Sequence, residues 1–151
     1  MGLSVAEALR GLPFVEEMEP GQVDRLAAMA KELGYEKDQV IFREGDAQKR
    51  LFIVVSGKVA LETTTAKGVF RVLTVEEGRE LGWSSLVAST RSHFRARAQE
   101  RVTVLAFEAA DLEKACRDDP VFGCRLLRRL VRVVSDRLEA MRIHFVDLYN
   151  L

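Results

Sequence analysis

The sequence predicts an α+β domain: a small β-roll of the jelly-roll type, a doubled strand winding like that of the cupins, carrying N-terminal helices and one long C-terminal dimerisation helix. Three observations predict it. Short apolar runs between residues 35 and 107 are punctuated by turn residues about every 8–12 positions, the spacing of a sandwich or barrel. Two helix starts stand in residues 1–34. From Asp119 to about Tyr149 apolar residues recur three and four apart, with no Gly or Pro after Gly123. The 151 residues then form one domain: helices in 1–34, roll in 35–107, helices in 108–151.

The elements follow in order. Ser4-Val5-Ala6-Glu7 is a capping box, in which Ser4 satisfies an orphan N–H and Glu7 reaches back to the cap. Gly11 and Pro13 stop that helix. Pro20 opens a second one, with Val23, Leu26, Ala27, Ala30 and Leu33 on one face and Gly34 at its end. Val40-Ile41-Phe42 is a short strand before the Gly45-Asp46 turn, and Leu51–Val55 is a buried one. Ser56-Gly57 then reads as a two-residue hairpin turn into Lys58–Glu62. Ala66-Lys67-Gly68 turns the chain into a strand over Val69–Val75. Phe94, Ala96 and Ala98 alternate with His93, Arg95 and Arg97, and Val102–Phe107 closes the set. Successive hairpins that bury both apolar faces favour a jelly roll over an open sheet with exposed edges.

Asp119-Pro120 starts the last helix, Asp as cap and Pro inside. Leu127, Leu130, Val134, Leu138, Met141, Phe145 and Leu148 form a seam, and Leu126, Val131, Val133 and Ile143 flank it. One face lies on the roll and the other on a partner, most simply a second copy paired through 120–149.

Composition narrows the function. Lys plus Arg and Asp plus Glu both number 23, so no global field attracts nucleic acid. No apolar run approaches the roughly 20 residues of a membrane span, and the N-terminus lacks the basic and apolar regions of a secretory signal. Cys116 and Cys124 lack C-x-x-C spacing; a reducing, cytoplasmic setting with buried or inert thiols is expected. His93 and His144 are the only histidines, too few and too far apart for a cupin-type metal centre. No nucleophile elbow, P-loop or dinucleotide fingerprint occurs, so no catalytic residues and no enzyme activity are expected.

The stretch Gly78-Arg79-Glu80-Leu81-Gly82-Trp83-Ser84-Ser85-Leu86, followed by Arg91 and Ser92, carries the candidate ligand site. Gly82 lets backbone approach a ligand. A helical turn begun by Trp83, Ser84 and Ser85 favours an anion, and an Arg closes on it with paired N–H donors. A plain inter-strand loop, with Trp83 as a core plug, is the alternative reading of the same residues.

The whole order resembles the cyclic nucleotide-binding domain of the catabolite activator and fumarate-nitrate regulator superfamily. Leu12-Pro13-Phe14, Ile41-Phe42-Arg43-Glu44-Gly45-Asp46 and Leu51-Phe52-Ile53-Val54-Val55-Ser56-Gly57-Lys58-Val59 carry the likeness. Gly82–Val87 and the segment Asp136–Tyr149 look like a bacterial branch of stand-alone domains without a helix-turn-helix, so no direct DNA binding is expected. In that superfamily the cassette's Gly precedes a Glu that holds the ribose hydroxyl, and an Arg faces the cyclic phosphate. Carried over, Gly82 is the Gly, Trp83 stands where the Glu belongs, and Arg91 is the phosphate Arg. Ser92-His93-Phe94 replaces the small residues that follow it. The resemblance thus implies no cofactor beyond a cyclic nucleotide or related small anion. A hydroxyl buried without its partner costs about 1–3 kcal/mol, one to two decades of affinity. Two functions remain open: a sensor of a small anionic ligand acting through a dimeric helix, or a ligand-free dimeric module that binds a protein partner through a degenerate phosphate pocket. Arg125, Arg128, Arg129 and Arg132 are that partner's candidate surface, beside the plainer reading of a solvated helix face.

Overall fold

Ser4 caps the first helix as its sequence requires. In the computed structural model, which describes residues 4–87 and 91–150, its Oγ accepts from Glu7 N at 3.2 Å and its own N–H donates to the Glu7 carboxylate at 3.0 Å. The helix, α1, spans Val5–Arg10. A 3₁₀ turn over Pro13–Val15 buries Phe14 and Val15. The next helix, α2, spans Pro20–Met29 with Pro20 at its start.

The expected helix through Leu33 is not formed. Ala30 is extended, with ψ 141°, and Lys31–Tyr35 is the first strand, β1. Leu33 and Tyr35, two apart, both pack against the roll interior, and pairing with a long partner strand outweighs weak helical periodicity. The roll therefore starts at Lys31.

The other strands are β2 (Val40–Phe42), β3 (Arg50–Ser56), β4 (Val59–Thr65), β5 (Gly68–Val75), β6 (Glu80–Leu81), β7 (Arg95–Ala98) and β8 (Val102–Glu108). They form two four-stranded antiparallel sheets, ordered β1-β8-β3-β6 and β2-β7-β4-β5. This is the anticipated jelly-roll winding, but the hairpin expectation needs correcting. Among consecutive strands of the described residues only β4 and β5 pair with each other. Ser56-Gly57 does not close a hairpin; it carries the chain from one sheet to the other. Gly57 is still required there: its φ is +90°, and a Cβ would collide with the Arg101 carbonyl.

β3 explains why its sequence is apolar without interruption. Leu51 and Ile53 belong to a core shared with α1, α2 and the C-terminal helices. Phe52 and Val54 belong to a second core between the two sheets, with Val59, Leu61, Leu81 and Val104. A strand buried on both faces has no polar positions to alternate.

Two helices follow, α3 (Ala109–Asp118) and α4 (Pro120–Leu148). Asp119 Oδ1 accepts from Val121 N and Phe122 N at 3.1 and 3.2 Å, the expected cap. Leu126, Leu130 and Val133 are buried on α4, while Leu127, Val131, Val134, Leu138, Met141, Phe145 and Leu148 are exposed. This corrects the seam by one residue: Leu130 serves the core and Val131 takes its place outside. Both follow Leu127 at helical spacing, so periodicity alone could not separate them. The corrected outer row steps 4, 3, 4, 3, 4, 3 from Leu127 to Leu148, a heptad stripe. Cys116 is half-buried and Cys124 exposed, both as free thiols.

Candidate ligand site

The site grows from β6. Gly78, with φ +84°, turns the chain out of the segment that follows β5, and Glu80-Leu81 pairs with Ile53-Phe52 of β3. Successive side chains on a strand face opposite ways. Leu81 enters the core between the sheets, and Glu80 turns to α4. There its Oε1 accepts from Arg129 Nε at 3.0 Å and Nη2 at 2.7 Å. The side chains are 2% and 10% exposed, so this is a buried ion pair. Arg137, two turns further along α4, donates to the Glu80 carbonyl oxygen.

Gly82 follows in the left-handed region, φ +79°. A Cβ there would stand 2.5 Å from Arg50 O, so the position needs Gly for both conformation and space. Trp83–Leu86 is a 3₁₀ turn, closed by Ser85 N to Gly82 O and Val87 N to Ser84 O, both 3.0 Å. Residues 88–90 of the cassette lie outside the described residues.

A hollow sits between this turn and β7. Its apolar wall includes Phe42, Leu61, Leu81 and Phe94. Gly82, Trp83, Ser84 and Ser92 line the rest, with His93 and, from α4, Arg137. The hollow encloses about 20 Å³, room for about one water. Trp83 is half-buried, packs against the helical core, and its ring meets His93 at 5.8 Å between centroids, tilted by 38°.

Of the six residues read from the sequence, Gly82, Trp83, Ser84 and Ser92 meet at the hollow. Ser92 is buried, and its Oγ accepts from Gln48 Nε2 at 3.4 Å. Ser85 and Arg91 are not among the described lining residues. Ser85 Oγ is buried with no hydrogen-bond partner among the described residues. Arg91 is exposed, donates from Nη1 to Gly45 O at 3.0 Å, and bridges to Ala47.

Arg95 and Arg97, on the strand that follows Arg91, are committed elsewhere. Glu62, 6% exposed, accepts from Arg95 at 2.8 and 3.1 Å and from Arg97 at 3.1 to 3.3 Å. Burial pushes the Glu62 carboxyl up, but the bonds from Arg97 and Arg95 outweigh it and hold it below its ordinary value. Arg97 also reaches Asp38 at 2.7 Å. The arginine face on α4 is likewise divided. Arg129 is inside, Arg125 donates to Gln22 at 2.8 Å, and Arg128 and Arg132 stay exposed.

The sequence reading missed Arg129 and Arg137 as site residues and gave Glu80 no inward role. A signal existed. The roll-facing stripe Leu126, Leu130, Val133 continues four residues on to Arg137. No group of three or more His, Cys, Asp or Glu side chains converges among the described residues.

Residues 32–119 match the family model of the cyclic nucleotide-binding domain. The chain belongs to the cyclic nucleotide-binding domain family, whose members are ligand-sensing regulatory domains rather than catalysts. It is 30% identical over 76 residues to cyclic nucleotide-gated ion channel 2 of Arabidopsis thaliana, 50% of this chain and 10% of the channel. It thus spans about a tenth of that curated relative.

Among solved structures, one from Geobacter metallireducens GS-15, classed with the cyclic nucleotide-binding proteins, is 26% identical with a TM-score of 0.78. That match covers 88% of this chain and 97% of the other. The N-terminal domain of a transcriptional regulator from Streptomyces coelicolor A3(2) is 27% identical, TM-score 0.73, covering 89% and 96%. The catabolite activator protein of Thermus thermophilus is 25% identical, TM-score 0.75, covering 91% and 63%. No described helix is long and apolar enough to cross a membrane.

Proposed function

We propose that this chain is a cytoplasmic regulatory sensor that takes a small anionic ligand, a cyclic nucleotide or a relative of one, in the hollow beside Gly82–Ser85. It passes occupancy to α4, which pairs with a second copy through residues 120–149. The observation that carries this reading is the buried Glu80–Arg129 ion pair. It fastens the strand that leads into the ligand turn to the helix that faces a partner. A ligand that prefers one placement of β6 thereby prefers one placement of α4, which is the differential affinity a switch requires. Gly82, Trp83, Ser84 and Ser92 meet the ligand first. Arg91 leaves the Gly45 carbonyl to close over it, and the Ser85 hydroxyl, without a partner among the described residues, gains one. Family membership and the regulator among the similar structures support the regulatory role.

A second reading rests on the size of the hollow. A drug-sized ligand needs roughly 300–1,000 Å³, far above the 20 Å³ present. With Trp83 and Phe94 fixed as a plug, the chain is a ligand-free dimeric module that binds a protein partner. Trp83 is the single tryptophan, so its emission reports on the turn directly. Titration with cyclic AMP and cyclic GMP, followed by fluorescence and calorimetry, separates the two. A saturable response weakened in Arg91→Ala supports the sensor, and silence toward every nucleotide supports the module.

A further inference from the structure

We propose that Arg137 is the inner counter-charge of the hollow, and that the group it selects is a phosphate-type oxyanion, whether free or carried by a cyclic nucleotide. This rests on the sensor reading and names the chemistry of its ligand. Arg137 lies on the roll-facing stripe of α4, where Leu126, Leu130 and Val133 are buried before it. An apolar stripe that ends in a guanidinium, against a β-roll interior, places a cation where packing alone would favour a hydrocarbon.

Among the described ion pairs that cation has no carboxylate partner. Among the described hydrogen bonds its partner is the Glu80 carbonyl, while the Glu80 carboxylate is held twice by Arg129. A guanidinium carries five N–H donors in a planar fork suited to a phosphate edge, so donors remain. Burial pushes the Arg137 pKa down, the nearby Glu80 charge offsets part of this, and Arg79 adds to the depression. An arriving anion relieves that cost instead of adding to it.

The location is also suitable. Arg137 shares the hollow with Gly82, Ser84 and Ser92. It lines, with Glu80, a cleft of about 370 Å³ between β5 and α4. The hollow holds about one water, so a compact anion meets Arg137 from the cleft, which Arg79 and Asp136 also line and Trp83 does not; a nucleotide must move Trp83 or α4. Arg91, exposed and bonded to Gly45 O, is the sequence neighbour of the lining residue Ser92. An anion held by Arg137 would let α4 itself sense occupancy.

The test uses the full chain as wild type, Arg137→Gln, Arg137→Lys and, as an exposed control on α4, Arg142→Gln. Trp83 emission and melting temperature are followed against inorganic phosphate and cyclic AMP, each at constant ionic strength. Wild type and Arg142→Gln respond alike. Arg137→Gln loses about tenfold or more in apparent affinity, and Arg137→Lys falls between them. Without ligand, Arg137→Gln melts no lower than wild type, because its own charge is poorly compensated. A response to phosphate assigns the free anion, and a response to cyclic AMP alone assigns the nucleotide source. Wild-type affinity in Arg137→Gln overturns the role of Arg137 and leaves the sensor standing; should that variant not fold, wild-type affinity in Arg137→Lys does the same. A wild type silent to phosphate and cyclic AMP here, and to cyclic GMP in the titration above, overturns both proposals.

Discussion

Glu80 and Arg129 are joined by two hydrogen bonds, 2.7 and 3.0 Å long, across an interface that leaves their side chains 2% and 10% exposed. With the Arg137 bond to the Glu80 carbonyl, the pair forms the polar joint between a two-residue strand and a helix of 29 residues. Removing one member leaves the other buried without its partner. Glu80→Gln or Arg129→Met is expected to cost about 3–5 kcal/mol in urea unfolding, and replacing both by apolar residues to recover much of that. Equal costs for the double and single variants would show the pair to be energetically unimportant.

Gly82 is the second constraint on the site. Ala at φ +79° is strained by about 1–3 kcal/mol, and its Cβ would press on Arg50 O at 2.5 Å. Gly82→Ala should lower stability by at least that amount and shift Trp83 emission, since the tryptophan is the next residue. Thermal melts and emission spectra check both expectations.

Glu62 gives the domain an acid-side dependence. Its folded pKa lies below the ordinary value of 4.5 because Arg97 and Arg95 bond the carboxylate, more than offsetting the effect of burial. A depressed folded pKa contributes stability that is fully present above the unfolded value and lost as pH falls through the folded one. The loss therefore begins near pH 4.5 and deepens below it. Glu62→Gln should be less stable than wild type at pH 7, and the gap should narrow below about pH 4.5 in pH-resolved urea unfolding.

The exposed row on α4 predicts association. Leu138 is 69% exposed and lies at the centre of the heptad stripe. Leu138→Asp should leave the melting of the isolated chain nearly unchanged while shifting sedimentation from dimer to monomer. A wild type that sediments as a monomer at high concentration would remove the dimer from the account.

Much of the architecture was legible in the sequence because its signals are local. The Ser4–Glu7 capping box, Pro20, the Asp119-Pro120 start and the glycine-punctuated strands each require only neighbours within a few residues. The errors have non-local causes. Lys31–Tyr35 became a strand because β8 offered it a partner. Ser56-Gly57 joined two sheets because β3 and β4 found different neighbours. Leu130 and Val131 were equivalent until the roll selected one.

The site divides in the same way. Gly82, Trp83, Ser84 and Ser92 are contiguous, or nearly so, and were found together. Arg129 and Arg137 lie 49 and 57 residues from Glu80. Only the packing of α4 brings them there, so a motif read along the chain does not contain them. Arg95 and Arg97, close to Arg91 in sequence, are held by Glu62 a strand away, a pairing that the sequence does not display.

Hydrogen exchange with and without cyclic AMP or phosphate measures the link between turn and helix most directly. The account predicts that ligand slows amide exchange in residues 80–86 and, in the same titration, across residues 126–140 of α4. It also predicts that Glu80→Gln keeps the first effect and weakens the second. Protection confined to the turn, with α4 unchanged at saturating ligand, would contradict it.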